Sequence, residues 1–174
     1  MVFFIDWGHG GSEMDSIPVA KRNGYIRKVA AETSALGTFL SLPINGGGYN
    51  AQQIGYLDTC VNLSAFYRRE KRLFLPGHAW AFSPKPSPAL TANCFTHGES
   101  SDVVHCVNHL PGVDGNLAMQ REAQVILPTG PQREIMAYSF EWSGGRPVDQ
   151  VLQEDGALAA ILPPFETYCA LELR

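Results

Sequence analysis

The sequence predicts an α+β domain, and three observations predict it. The first seventy residues carry two stretches of near-helical apolar spacing, separated by Asn45-Gly46-Gly47-Gly48. The rest shows short apolar runs bounded by Gly, Pro, Asn and Ser, the pattern of strands and turns. The helical stretches precede the strands instead of alternating with them, which favours segregated layers over a parallel α/β sheet.

Taken in order, Val2–Asp6 reads as a strand, and the Gly- and Ser-rich residues 7–17 as a loop. Ser16 and Pro18 suit a helix start. Tyr25, Val29, Leu36 and Leu40 predict a helix over about 18–40, weakened by Gly24 and Gly37. A second helix, with Ile54, Leu57, Val61 and Ala65 on one face, ends near Arg72. The cluster Arg68-Arg69-Glu70-Lys71-Arg72 reads as its solvated end, where cations suit the helix dipole.

Leu73–Leu75 and Ala79–Phe82 read as strands. Residues 83–88 hold three prolines and cannot form a central strand. Leu90–Thr96 and Val103–Leu110, joined by a Gly98–Ser101 turn, predict a hairpin. Gln124–Leu127 and Glu134–Trp142, joined by Pro128-Thr129-Gly130, predict another, and Tyr168–Leu173 predicts a last strand.

A chain of 174 residues fits one domain over 1–174. At that size a core needs no disulfide or structural metal. Cys60, Cys94, Cys106 and Cys169 form no Cys-x-x-Cys pair and are expected as free thiols. The net charge of −4 argues against a nucleic-acid binder, which needs a basic face. No apolar run has the length of a membrane span, so no stable membrane insertion is expected. Met1–Asp6 lacks the basic start and the cleavage site of a signal peptide.

Reactive side chains are densest between Asn93 and His109. On a strand, Val103, His105, Val107 and His109 share one face, which makes His105 the candidate chemical centre. Three readings are open. A thiolate could attack a carboxamide with His105 as its base, a third group holding the imidazole tautomer; Cys94 is the nearby nucleophile. Cys94, His97, His105 and His109 could bind zinc in a non-enzymatic or partner-binding module, although their spacing matches no compact finger. His105 could equally be a half-buried strand residue beside cysteines that act as small hydrophobes.

Arg121-Glu122-Ala123-Gln124 before Val125-Ile126-Leu127-Pro128-Thr129-Gly130 resembles the acidic strand of mono-ADP-ribosyltransferases, with Gln124 where they carry a catalytic Glu. Gly8-His9-Gly10-Gly11 and Gly46-Gly47-Gly48 lack the Lys-Ser/Thr of a P-loop and read as loops beside a cleft.

Leu90-Thr91-Ala92-Asn93-Cys94, with His105 after it, resembles the catalytic hairpin of cytotoxic-necrotising-factor-type glutamine deamidases. The whole chain resembles the TecA-type deamidases of Rho GTPases, papain-like cysteine-type effectors of the Burkholderia type VI secretion system. That resemblance implies a papain-like fold and a Cys-His-Asp triad falling on position 41, His105 and Asp149. His105 and Asp149 match in type. Position 41 is Ser41, which is expected to stand in place of a nucleophilic cysteine. The implied activity is deamidation of an asparagine in a host Rho-family GTPase. It would use no cofactor and no metal. The implied route is secretion without a cleaved signal, with action in the host cytosol.

Overall fold

A computed structural model describes residues 3–4, 18–41, 57–74, 79–97, 101–113, 116–128 and 133–174. The chain begins with β1 (Phe3–Phe4), α1 (Val19–Ser34), β2 (Leu40–Ser41) and α2 (Leu57–Arg69). β1 and β2 pair in parallel, Phe3 against Leu40, with α1 as the crossover that parallel strands require.

α1 is shorter than the spacing predicts. Gly37 adopts φ +70, a left-handed conformation that ends helices and suits glycine. Its amide donates to the Ser34 carbonyl, and the chain then turns into β2. The predicted apolar faces also shift. α1 buries Ile26, Ala30, Ala31 and Ser34, and leaves Tyr25 at the surface. α2 buries Thr59, Leu63, Phe66 and Tyr67, whereas Val61, predicted to face the core, is 57% exposed. The aromatic pair Phe66–Tyr67 outweighs the smaller Val61 and Ala65 as the face removed from water.

Leu73 and Phe74 belong to a 3₁₀ turn, Lys71–Phe74, and not to a strand. The remaining strands are β3 (Ala79–Trp80), β4 (Lys85–Pro86), β5 (Leu90–His97), β6 (Ser101–Asn108), β7 (Gln124–Leu127), β8 (Ile135–Ser139), β9 (Arg146–Pro147), β10 (Asp149–Leu152), β11 (Leu158–Ile161) and β12 (Tyr168–Leu173). They form two antiparallel sheets, a six-stranded one in the order β3-β5-β6-β12-β8-β9 and a four-stranded one in the order β10-β11-β7-β4.

This corrects the predicted fold class. The described residues form a β-sandwich with two α-helices, not a papain-like α+β fold with helices followed by one sheet. The β5–β6 hairpin forms as predicted. The second predicted hairpin does not, because β7 pairs β11 and β4 while β8 pairs β12 and β9. Leu127 and Ile135 enter one inter-sheet core, from opposite sheets. Lys85–Pro86 takes an edge position, where a missing amide hydrogen is tolerated.

Both faces of the six-stranded sheet are covered. Cys94, Val104, Cys106, Ala137, Cys169 and Leu171 meet Val125, Leu127 and Ala160 of the four-stranded sheet. Val103, Val107, Tyr138, Tyr168 and Ala170 meet the helices. Alternation along each strand sorts side chains between these layers.

Candidate functional site

His105 is fully buried on the helix-facing side of β6. Its ring lies against Phe74 (centroids 5.4 Å apart) and Phe95 (5.8 Å), and Nδ1 is 2.6 Å from the Tyr168 hydroxyl. Burial holds the Tyr168 hydroxyl well above its ordinary pKa. A second buried pair lies in the same layer. The Tyr67 hydroxyl lies 2.9 Å from the Ser34 hydroxyl and 3.3 Å from the Ala30 carbonyl oxygen. Asn93, opposite His105 on β5, donates to the Ala35 carbonyl at 2.7 Å. The Asn93 bond ties the end of α1 to the sheet, and the Tyr67 contacts tie α1 to α2.

The other predicted site residues lie elsewhere. Cys94 pairs with Val104 and faces the inter-sheet core, away from His105. Burial pushes its thiol up to about 12, which opposes thiolate formation. Asp149 is exposed on β10 of the four-stranded sheet, paired with Ile161. That sheet lies on the side of the six-stranded sheet away from His105. Ser41 pairs with Phe4 at the end of β2. His109 is exposed beyond β6, with Nδ1 2.7 Å from Lys28 and Nε2 2.9 Å from Thr91. His97 pairs with Ser101 at the hairpin end. Gln124 is exposed at the start of β7. The glycine runs at 8–11 and 46–48 lie outside the described residues.

Cys94 and His105 thus point to opposite faces and cannot ligate one zinc ion. Among the described residues no three His, Cys, Asp or Glu side chains form a metal-binding group. Among them, too, no helix is long and apolar enough to cross a membrane.

The basic cluster is less solvated than predicted. Buried Glu70 accepts from Arg69 Nε at 2.8 Å and Arg72 Nη1 at 2.5 Å. Glu172 accepts from Arg72, from Arg174 at 2.7 Å and from the Tyr138 hydroxyl at 3.1 Å. This network ties the 3₁₀ turn to the last strand.

An open cleft of about 300 Å³ lies between α1 and the loops that carry Asn116–Leu117 and Glu166–Thr167. Tyr25, Arg27 and Lys28 line the helix side. Arg27 Nη1 is 3.7 Å from Glu166 Oε2. Lys28 donates to the Asn108 carbonyl at 2.9 Å, and burial lowers its pKa against the opposing pull of Glu32.

The loop side is held from below. Buried Asn108 donates to the Ala118 and Glu166 carbonyls, while its Oδ1 accepts from the Leu110 amide and Gln120. Glu141 accepts from the Thr167 amide at 3.1 Å and from the Ser139 hydroxyl, and burial raises its pKa. Tyr25 falls on the apolar helical spacing and so reads as a core residue, which hides this cleft in the sequence. The usable signal was Gly24, a costly residue inside a helix, next to a tyrosine and two cations.

No protein-family profile matches the chain, and no curated protein matches it in sequence. In architecture it is similar to a Paenibacillus cycloisomaltooligosaccharide glucanotransferase solved in complex with cycloisomaltoheptaose. The TM-score is 0.64 at 12% identity, over 86% of this chain and 27% of that one. An α-L-fucosidase isoenzyme 2 from Paenibacillus thiaminolyticus matches at TM-score 0.36 and 12% identity, over 68% of this chain and 18% of that one. The glucanotransferase likeness shows a shared fold, β-rich and unlike papain. This chain spans about a quarter of the glucanotransferase's length.

Proposed function

We propose that this chain is a non-catalytic β-sandwich module of a carbohydrate-active enzyme and that it binds oligosaccharide. The carrying observation is the placement of its polar groups. His105 and the thiols of Cys94, Cys106 and Cys169 are sealed between layers. The solvent-open cleft instead presents an aromatic ring beside planar polar groups, the combination that suits sugars. The shared fold with a glucanotransferase supports the reading by analogy only, since one fold hosts many functions. A thiol deamidase of Rho GTPases would need a nucleophile and an orienting carboxylate at His105. Asp149 and Cys94 lie on the far side of the sheet from that ring, and Ser41, the nucleophile position of that triad, ends β2.

Isothermal titration of the 174-residue chain with isomaltoheptaose tests the proposal. Saturable binding without sugar turnover is the expected result. Absence of saturable binding to isomalto- and malto-oligosaccharides overturns it, as does release or transfer of glucosyl units by the chain itself.

A further inference from the structure

We infer that the cleft between α1 and the Asn116 and Glu166 loops is a subsite for a neutral pyranose ring, with Tyr25 as its stacking platform. The inference rests on the carbohydrate-binding reading and adds the place and the ligand class.

Gly24 shapes the site. A Cβ at this position would stand 3.1 Å from Asn116 Oδ1, tighter than ordinary contact. Glycine therefore lets the loop amide lie close against the helix. The next residue, Tyr25, is 36% exposed and lines the cleft. An exposed aromatic beside an amide, a guanidinium and a carboxylate gives an apolar surface for the C–H face of a sugar. The polar groups supply paired donors and acceptors for its hydroxyls.

Charge decides between a neutral and an anionic ligand. Arg27 is opposed by Glu166 at 3.7 Å, and Lys28 by Glu32 at 3.6 Å. Lys28 also spends its donors on Asn108 and His109. Lys21 adds one further cation at the lining. Counting Glu32 beside the lining, two of the three cations are ion-paired and one positive charge, on Lys21, is left over; the paired groups favour hydroxyls over a carboxylate or phosphate. Its volume, about 300 Å³, lies at the lower end of the range for ligand clefts, which suits one or two rings. The Asn108 clamp and the Glu141–Thr167 bond fix the loop side in advance, which reduces the ordering cost of binding.

Titration with isomaltotriose, followed by heteronuclear NMR on the whole chain, tests this. Circular dichroism checks that each variant is folded. Tyr25→Ala should weaken binding about tenfold, while Tyr25→Phe keeps the platform and most of the affinity. Asn116→Ala should weaken it severalfold, and an oligosaccharide of equal length carrying glucuronate should bind no tighter. Wild-type affinity in both Tyr25→Ala and Asn116→Ala overturns this site while leaving the module reading intact. Clearly tighter binding of the glucuronate sugar overturns the neutral ligand class. Failure of the wild-type chain to bind any sugar instead overturns the module reading, and the site with it.

Discussion

On the side of the six-stranded sheet that meets the second sheet, β5, β6 and β12 present Cys94, Val104, Cys106, Cys169 and Leu171, all buried and apolar. On the side that meets the helices, the same strands present Asn93, His105, Tyr168 and Glu172, each engaged with another polar group. Alternate residues of one strand thus serve two different interfaces. The dry face holds by close packing, which accepts any apolar shape that fills the space. The helix side also packs apolar groups, among them Val103, Val107 and Ala170, and adds directed bonds, from Asn93 to the end of α1 and from Glu172 to Arg72 of the 3₁₀ turn. His105 belongs to this second interface, where its ring packs against Phe74 of the 3₁₀ turn and its Nδ1 meets Tyr168 of the neighbouring strand.

The largest effect should come from the dry face. Leu171→Ala removes a fully buried side chain and should cost about 2–5 kcal/mol in urea unfolding. A cost below about 1 kcal/mol would show that the inter-sheet core is not close-packed. On the polar face, Tyr168→Phe keeps the ring and removes the hydroxyl that meets His105. It should cost about 1–3 kcal/mol, because the His105 nitrogen loses a buried partner. His105→Phe combined with Tyr168→Phe should cost less than the two single changes added together. Strict additivity would mean that the pair is not coupled.

Acid should separate two carboxylates further. Burial alone would raise Glu172, but bonds from Arg174 and Arg72 outweigh it and hold the carboxyl below its ordinary value. A depressed folded-state pKa contributes stability above the unfolded value, and that stability is lost as pH falls through the folded one. Glu172→Gln should therefore flatten the acid limb of a stability–pH curve. Glu141 has the opposite sign, because burial raises it. Its contribution is present below the ordinary carboxylate range and declines as pH rises toward the raised folded value. Glu141→Gln should remove that decline. Parallel pH profiles for the two variants would contradict the assignment.

The smallest effect is kinetic. Burial pushes Cys94 up to about 12 and half-buried Cys60 up to about 11. Iodoacetamide at neutral pH should label Cys60 slowly, and Cys94 only after unfolding. Native labelling of Cys94, read by peptide mass, would restore it as a candidate nucleophile.

The strands were legible where alternation and turn residues agree, as in Leu90–His97 with Ser101–Asn108 and in Tyr168–Leu173. The helices were legible as elements but not as faces, since Tyr25 and Val61 lie outward and Phe66 and Tyr67 inward. The cleft was not legible, because Tyr25, Asn116 and Glu166 come from segments far apart in sequence and meet only after α1 docks.

The sequence by itself determined which side chains of each strand share a face, that Gly37 weakens the helix predicted over 18–40, and that the proline-rich segment cannot be a central strand. These follow from backbone geometry within a few residues. Only the tertiary structure decided that β7 and β8 join different sheets and that His105 faces the helices instead of Asp149. Periodicity fixes which side chains point together. Which element covers them is set by contacts between distant segments, and no local spacing encodes those.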